Sequence, residues 1–220
     1  MTTIRRTAMD AMDRRERARL VNSLSGVRPA VLIGTTNGQG THNLAVFNSL
    51  MHIGSAPPLL GLIVRPDAEV RRHTLENLTA TGHFTINHMP GHLRNAAHDT
   101  SAKLSAAVSE FEACGLTPLI HDDLRAPAVA ESPVRIGCRL VERQAIRSNG
   151  TILVIGEVVR LDIDDAHWRD GAVRHDGLNA VCGTEDYYDL RFVERRGFVR
   201  PDDVSPPAPS TRGSGPRSGS

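Results

Sequence analysis

Residues 42–88, HNLAVFNSLMHIGSAPPLLGLIVRPDAEVRRHTLENLTATGHFTINH, are the stretch around which the chain is organised. A β-prone run, 43–51, ends in the Ser-Ala-Pro-Pro break at 55–58, and a second apolar run, 59–64, follows. Next come two adjacent arginines and a helical pattern, and a third β-prone run, 84–87, closes the unit. The pattern predicts strands on both sides of one helix.

Composition places the chain among ordinary soluble globular proteins. It has 220 residues, 40% hydrophobic and 23% charged, which suits one domain or two small ones. The net charge of +1 gives no strong electrostatic case for nucleic acid or a membrane surface. Aromatic residues are only 4%, which argues against a stacking platform for bases. We therefore expect neither a nucleic-acid nor a membrane partner.

Cysteine usage and the N-terminus indicate a cytoplasmic protein. Cys114, Cys138 and Cys182 are far apart and form no CxxC pair, so no zinc ribbon or thioredoxin motif is present. An odd count without a disulfide framework suits a reducing compartment. Charged residues rather than an apolar run follow Arg5 and Arg6, so no signal peptide is expected. No apolar stretch is long enough to span a bilayer.

The remaining patterns predict a succession of antiparallel strands with peripheral helices. Residues 10–24 are amphipathic and predict one helix lying on the domain. Asn-Gly-Gln-Gly at 37–40 predicts a hairpin turn between strands at 30–35 and 42–52, since neither a Walker A pattern nor a complete GxGxxG is present. The apolar run 59–64 predicts a central strand. Further strands are expected at 83–88, 134–146 and 151–163, the last two as a hairpin.

The return strand carries polar residues where a core strand would be apolar. Asn43, Asn48 and Ser49 interrupt the hydrophobic residues and break strict alternation. Polar groups on a core strand need hydrogen-bond partners, and a bound polar ligand can supply them. The alternative is a strand edge that simply enters a loop.

The helix after the central strand has the features of an anion site. We expect it over 68–81 with Asp67 as its N-cap. Its N-terminus would offer free N–H groups, while Arg65, Arg71 and Arg72 add cations. Thr74 would add a hydroxyl donor. The alternative is a solvated basic helix face.

Three histidines raise the alternative of a metal enzyme. His88, His92 and His98 are close in sequence, but their spacing crosses Pro90 and Gly91 and matches no zinc signature. We therefore predict no metal ligand and keep the metal enzyme only as a competing hypothesis.

Several of these segments resemble the flavin reductase-like family, the FMN-binding split barrels. Asn-Leu-Ala at 43–45 with Phe-Asn-Ser at 47–49 is similar to the flavin-facing strand, and Pro-Pro-Leu-Leu at 57–60 to the entry of the next strand. Residues 72–77 and 82–87 resemble the basic-Thr helix and its following strand. The turn at 98–103 and the segment 110–118 also resemble the family. The resemblance covers roughly residues 26–200.

The resemblance implies a mainly β fold, an antiparallel split β-barrel with peripheral helices, that binds FMN near a homodimer interface. It predicts a domain over 26–200, with residues 1–25 as a helix packing on the barrel. Residues 201–220 are rich in Pro, Ser and Gly and are expected to be a disordered tail.

The resemblance also assigns cofactor-binding roles to individual residues. It implies that Arg65, Arg72 and Thr74 hold the phosphate, with Lys103 as a further candidate. The residues that would line the ring or the ribityl chain, partly through backbone groups, are Asn43, Val46, Phe47, Asn48 and Ser49. The family often has Pro at the position of Val46, Ser at that of Asn48, and Lys-Asp in place of Arg72 and His73.

The activity implied is NAD(P)H-dependent flavin reduction, with hydride passing from NADH or NADPH to FMN, or to FAD. Such a step needs proximity and orientation more than a side-chain base, so we nominate no catalytic acid, base or nucleophile. An oxygenase component is one partner that could accept the electrons. The competing hypothesis is an FMN-binding electron carrier reduced by a partner protein.

Overall fold

The computed structural model describes residues 1–66 and 71–197. The helices within these ranges are α1 (Arg6–Ala11), α2 (Arg14–Ser23), α3 (His73–Thr81), α4 (Arg94–Asp99) and α5 (Glu110–Ala113), with 3-10 turns at Gly91–Leu93 and Asp165–His167. The strands are β1 (Val27–Pro29), β2 (Val31–Thr36), β3 (His42–Phe47), β4 (Met51–Ser55), β5 (Pro58–Val64), β6 (His83–His88), β7 (Pro118–His121), β8 (Leu124–Val129), β9 (Val134–Ile146), β10 (Thr151–Ile163), β11 (Trp168–Arg169), β12 (Ala172–Val173), β13 (Asn179–Cys182) and β14 (Asp186–Asp189). Across the described ranges, no helix combines the length and apolar character needed to cross a membrane.

The main sheet has seven antiparallel strands in the order β3-β2-β6-β9-β10-β5-β4. Its two edge strands, β3 and β4, are consecutive in the chain and are joined by residues 48–50 alone. The prediction of one strand over 42–52 is therefore wrong. The chain leaves the ladder after Phe47, because Asn48 and Ser49 hydrogen-bond outside β3, and it begins a new strand at the opposite edge.

The predicted central strand lies one position in from the edge of this sheet. β5 is paired with β10 on one side and with the edge strand β4 on the other. Its apolar residues nevertheless face a core, since Leu62 and Val64 are buried. The apolar run thus indicated burial correctly but not the strand order.

The predicted hairpin of two long strands is confirmed at its predicted bounds, since β9 and β10 pair along their length. Two register shifts interrupt the pairing, and the exposed residues Val141 and Val159 lie at them. Gly156 sits at one shift, where a Cβ atom would lie 2.4 Å from Cζ of Phe84. Glycine is thus needed there for close approach of the Phe84 ring.

Both faces of β2 are buried, which explains its continuous apolar sequence. Val31 and Ile33 belong to one hydrophobic cluster, together with Leu62 of β5 and Phe84 of β6. The alternate residue Leu32 belongs to a second cluster that covers the other face of the sheet. The period of two along a strand assigns successive side chains to these two cores.

The N-terminal segment forms two helices rather than the single helix predicted over 10–24. α1 ends at Ala11, and Asp13 caps α2 by accepting hydrogen bonds from the backbone N–H groups of Arg15 and Glu16 at 2.7 and 3.0 Å. Because an Asp side chain bonded in this way favours a helix start, the helix is interrupted. Neither helix has a fully buried residue.

The helix expected over 68–81 begins at His73 and ends at Thr81. Arg72 occupies its N-cap position with φ −119° and ψ 87°, which is not helical, and its side chain does not cap the helix. The predicted N-cap Asp67 and residue Ala68 lie outside the described residues. Gly82 adopts φ 74° and donates its N–H to the Leu78 carbonyl, which caps the C-terminal end of the helix.

A small three-stranded sheet, β1-β13-β14, lies beside the main sheet. Arg94 of α4 anchors it by donating to Asn179 Oδ1 at 2.9 Å and to Asp189 Oδ1 at 2.7 Å. His98 Nδ1 lies 3.0 Å from the Tyr187 hydroxyl, which adds a second attachment. The β13–β14 hairpin is thereby held against α4, with its turn at residues 183–185. The predicted tail, 201–220, lies outside the described residues.

Candidate functional site

The β3–β4 connection, the end of β5 and the start of α3 meet at one place. The Ser49 hydroxyl donates to the Ile63 carbonyl at 3.1 Å and accepts from the Ile63 N–H at 3.0 Å. Arg72 Nε donates to the Pro66 carbonyl at 3.2 Å. We call residues 48–50, 63–66 and 72–74 the junction. It unites Asn48, Ser49, Arg65, Arg72 and Thr74 of the predicted site.

A cluster of buried polar side chains adjoins the junction at Thr74. Asn43 Nδ2 donates to Oγ1 of Thr35 and to Oγ1 of Thr74, each at 3.2 Å. Asn77 Nδ2 donates to the same Thr35 oxygen at 3.3 Å. All four side chains are buried, so these bonds fix β2, β3 and α3 relative to one another. Asn43 is one of the residues predicted to contact a ligand, and its amide nitrogen is engaged within the protein.

Thr74 remains able to donate a hydrogen bond. Its oxygen accepts from Asn43, and the hydroxyl proton is left for another acceptor. The residue lies in the first turn of α3, where backbone N–H groups lack intrahelical partners and the side chain at the N-cap position does not cap them. A hydroxyl donor and free N–H groups at one helix start are suited to an anion.

The three arginines differ in their availability. Arg65 is exposed, and it forms no ion pair or hydrogen bond with the described residues. Arg72 is half-buried and bonded to Pro66, whereas Arg71 is paired with Glu76 through bonds of 2.9 and 2.6 Å. The hydrogen bond from Arg71 lowers the pKa of the Glu76 carboxyl. The positive charge of Arg71 is thus balanced locally, while no acidic side chain among residues 1–66 and 71–197 is paired with Arg65.

The free edge of β3 offers backbone groups. Leu44 donates its N–H to the buried carboxylate of Glu110 at 3.0 Å, so this group points away from β2. Because backbone groups alternate along a strand, the N–H of Val46 faces the same outer edge. The side chains of Val46 and Phe47 pack against the two hydrophobic clusters. Val46 can therefore contact a ligand mainly through its backbone, whereas the backbone groups of Phe47 face Val31 of β2.

Asn48 connects the junction to the β13–β14 hairpin. Its Nδ2 donates to the Gly183 carbonyl at 2.6 Å. That nitrogen is therefore directed at the hairpin turn, and the carboxamide oxygen is the atom left for a ligand. Gly183 is 135 positions away along the chain, so no local pattern indicated this contact.

Lys103 lies apart from the hydrogen-bonded junction. It is exposed in the segment after α4, and the described part of the chain supplies it with neither an ion pair nor a hydrogen bond. The following residues Ala106 and Val108 line a cavity of about 160 Å³ together with Asn43 and Arg71. The segment that carries Lys103 thus approaches the start of α3, but Lys103 does not line the cavity.

The predicted histidine group is divided among different partners. His88 is buried in edge-to-face contact with His175 at 4.8 Å, and burial lowers the pKa of His88 to about 3. His98 is exposed and contacts Tyr187 instead. Among residues 1–66 and 71–197, no group of three or more His, Cys, Asp or Glu side chains could hold a metal ion.

Three residues of the site were missed by the sequence reasoning. Asn77 and Glu110 are polar residues that become buried, and Gly183 contributes only its carbonyl. Asn77 lies one helical turn after Thr74, so the periodicity of α3 could have indicated it. Glu110 lies in a segment already considered, but its contact with Leu44 spans 66 positions.

Comparison with known proteins agrees with this architecture. A 40% identical protein from Shewanella frigidimarina NCIMB 400, assigned to the flavin reductases with a split barrel domain, superposes with a TM-score of 0.86 over 90% of this chain and 100% of its own. Nitrilotriacetate monooxygenase component B from Bacillus cereus is 22% identical (TM-score 0.79, 89% of this chain and 98% of that chain). Flavoredoxin of Desulfovibrio vulgaris (Miyazaki F) is also 22% identical (TM-score 0.69, 79% and 92%). The last two show a shared fold.

A family model, the flavin reductase like domain, matches residues 24–176. This range contains the main sheet, α3 and the entire junction. The match and the 40% identical split-barrel structure support a flavin-binding oxidoreductase. The chain belongs to the flavin reductase-like family.

Proposed function

We propose that this protein binds FMN at the junction and transfers hydride from NADH or NADPH to it, acting as a flavin reductase. The observation that carries the proposal is the meeting of the start of α3, which the N-cap side chain leaves uncapped, and the exposed Arg65, which has no ion pair among the described residues, with the outer edge of β3. The helix start and the arginine charge suit a phosphate, and the strand edge suits the polar rim of a planar ring. The β3–β4 connection and the start of α3 are both bonded to the end of β5 and the residues after it, through Ser49 and Arg72.

The phosphate end is formed by Arg65, Arg72 and Thr74. Arg65 supplies a cation that the described protein does not neutralise, and Thr74 supplies a buried hydroxyl donor. Arg72 lies at the N-cap beside the free N–H groups of α3. Charge-assisted hydrogen bonds of this kind are about twice as strong as neutral ones. Lys103 is a more distant contributor.

The ring end is formed by the outward backbone of Val46 and by the β3–β4 connection that follows Phe47. Val46 stands where the family often has Pro, so this chain has an N–H where a proline offers none. Asn48 contributes its amide oxygen, since its nitrogen is bonded to Gly183. Ser49 and Asn43 act as supports, because their side chains hold β5 and α3 in place.

A bound flavin would supply the hydride-accepting chemistry. The residues of the junction bind and orient it, and they leave one face of the ring open to the nicotinamide. Positioning two rings within reacting distance accelerates such a transfer without a side-chain acid or base. We accordingly assign no catalytic proton donor among the described residues.

We further propose a cytoplasmic homodimer that passes electrons to an acceptor, with FAD as the alternative flavin. The exposed apolar residues Val141, Val159 and Leu161 on β9 and β10 support a contact with a second copy. An oxygenase component is a candidate acceptor, because a protein of the same fold is component B of a monooxygenase.

An anaerobic spectrum of the protein mixed with FMN tests the activity. Addition of NADH, and separately of NADPH, should bleach the flavin absorbance and show which nucleotide is preferred. Rapid bleaching by either nucleotide alone would support the reductase. A flavin spectrum that persists with both would contradict it and favour the electron carrier, a role suggested by the flavoredoxin of the same fold.

A further inference from the structure

A larger cavity lies on the far side of the Gly183 turn, between α2 and the β13–β14 hairpin. We call it the α2–hairpin cavity. Its volume is about 350 Å³, and small-molecule binding pockets occupy roughly 300–1,000 Å³. The cavity beside α3, at about 160 Å³, is much smaller. The α2–hairpin cavity is therefore large enough to hold a compact ring compound.

The cavity is built from segments that flank the family domain. Its lining residues fall between positions 4 and 23 and between positions 182 and 186. The family model matches residues 24–176, so every lining residue lies outside the match. A pocket built in this way can select a ligand without altering the domain that holds the flavin.

The wall of the cavity is mostly apolar. Met12 and Leu20 are half-buried, and Ile4 is 40% exposed. Cys182 closes the wall opposite α2, where its thiol lies 3.7 Å from the Ser23 carbonyl. Covering these side chains with an apolar ligand would remove their surface from water, which is favourable by roughly 25 cal/mol per Å².

The charges around the mouth select against anions. Glu16, Glu185 and Asp186 contribute three carboxylates, and Arg19 contributes one guanidinium. None of these four side chains forms an ion pair within residues 1–66 and 71–197. The local charge is therefore negative, and an anionic ligand would be repelled while a neutral one would not.

The cavity shares one turn of the chain with the junction. Gly183 lines the cavity, and its carbonyl accepts the 2.6 Å hydrogen bond from Asn48. Asn48 is followed directly by Ser49, which is bonded to β5 at the junction. A molecule in the cavity is thus separated from the junction by the turn at Gly183 and the Asn48 side chain.

We propose that the α2–hairpin cavity is a binding site for a neutral, mostly apolar ring compound. The binding itself follows from the volume and the apolar wall, while the carboxylates disfavour anions, and it requires no flavin. The turn at Gly183 and the Asn48 side chain separate this compound from the junction, so the site is distinct from the proposed flavin site.

Saturation-transfer NMR with menadione, a neutral bicyclic quinone, tests the proposal on the purified full-length protein. Leu20→Trp would fill the cavity, and Val21→Trp is the matched control, because Val21 is 49% exposed on the same helix and does not line the cavity. Met12→Trp provides a second filling variant, with circular dichroism to verify folding. We expect both filling variants to weaken menadione binding by about tenfold or more and the control to leave it unchanged.

The charge argument is tested with menadione sulfonate, which has the same ring and a negative charge. It should bind more weakly than menadione to the unaltered protein. Absence of saturation transfer from the unaltered protein to menadione, or equal losses in the filling and control variants, would overturn the site. Equal binding of the sulfonate would overturn the ligand class.

A change in oligomeric state caused by Leu20→Trp, without menadione binding to the unaltered protein, would identify a second copy as the occupant and reject the proposal. Since the readout needs neither flavin nor nucleotide, its failure is distinct from failure of flavin binding.

Discussion

Replacement of Thr74 by valine separates the two roles that the structure gives to this side chain. Valine keeps the branched shape but removes the hydroxyl, which accepts a 3.2 Å hydrogen bond from Asn43 and has a proton left to donate. The first role concerns stability, because Thr74 and Asn43 are both buried. The second concerns the phosphate that we place at the start of α3.

The two losses have different magnitudes. A buried N–H of Asn43 without its partner lowers the free energy of unfolding by roughly 1–3 kcal/mol. Because Asn43 keeps its second hydrogen bond, to Thr35, we expect a loss of about 1 kcal/mol. A hydrogen bond to a charged phosphate is worth about 1.5–3 kcal/mol. At 1.4 kcal/mol per factor of ten, Thr74→Val should weaken FMN binding by roughly ten- to a hundredfold.

Fluorescence titrations with FMN and riboflavin provide the assay. Urea denaturation of the variant, at the temperature of the titrations, verifies that it is folded under those conditions. Riboflavin lacks the phosphate, so its affinity for the variant should equal its affinity for the unaltered protein. A decline of the same size for both flavins would mean that the substitution acts through the fold. Unchanged FMN binding would refute the assignment of Thr74 to the phosphate.

Three further predictions concern stability. Burial lowers the pKa of His88 to about 3 in the folded protein, against an ordinary value of 6.5. Between these two pH values the unfolded chain binds a proton that the folded chain does not. The titration of His88 should therefore lower the free energy of unfolding by about 2 kcal/mol from pH 7 to pH 5. Gly34→Ala would place a Cβ atom 2.2 Å from the Pro127 carbonyl oxygen and should cost about 3 kcal/mol, measured by urea denaturation. Glu110→Gln weakens the charged acceptor of the Leu44 N–H and should cost about 1 kcal/mol in the same measurement.

Each of these predictions has a matched control. A His88→Gln variant should lose less stability between pH 7 and pH 5 than the unaltered protein; an equal loss would mean that His88 is not the titrating group. Gly197→Ala should be neutral, since a Cβ atom there meets no neighbour within 4 Å, and an equal cost at Gly34 and Gly197 would refute the packing argument. Unchanged stability of Glu110→Gln would show that the carboxylate charge contributes nothing to the edge of β3.

The elements with strong local signals were predicted well. β6, β9 and β10 have the predicted bounds, because alternating or continuous apolar runs ended by glycine determine a strand locally. The break after Phe47 was missed, because it depends on Ser49 and Asn48 finding partners far along the chain. The strand propensity of residues 42–52 gives no information about those distant partners.

The candidate site was predicted as a set of residues rather than as a geometry. Arg65 and Arg72 are brought near each other by the bond from Arg72 to Pro66, and the role of Arg65, Arg72 and Thr74 in holding a phosphate stays a prediction. The sequence could not show that the nitrogen atoms of Asn43 and Asn48 are used within the protein. Polar residues on a strand indicate only that partners exist, and the fold decides whether a ligand or another residue supplies them.

Titration of the unaltered protein with FMN, followed by flavin fluorescence, tests the central claim most directly. We predict saturable binding that weakens as salt is added, because the arginine charges and the helix start would hold the phosphate. Arg65→Gln should weaken it further, since its guanidinium has no carboxylate partner among the described residues. Failure of the protein to bind FMN, or binding indifferent to both salt and Arg65, would contradict the assignment of the junction as the flavin site.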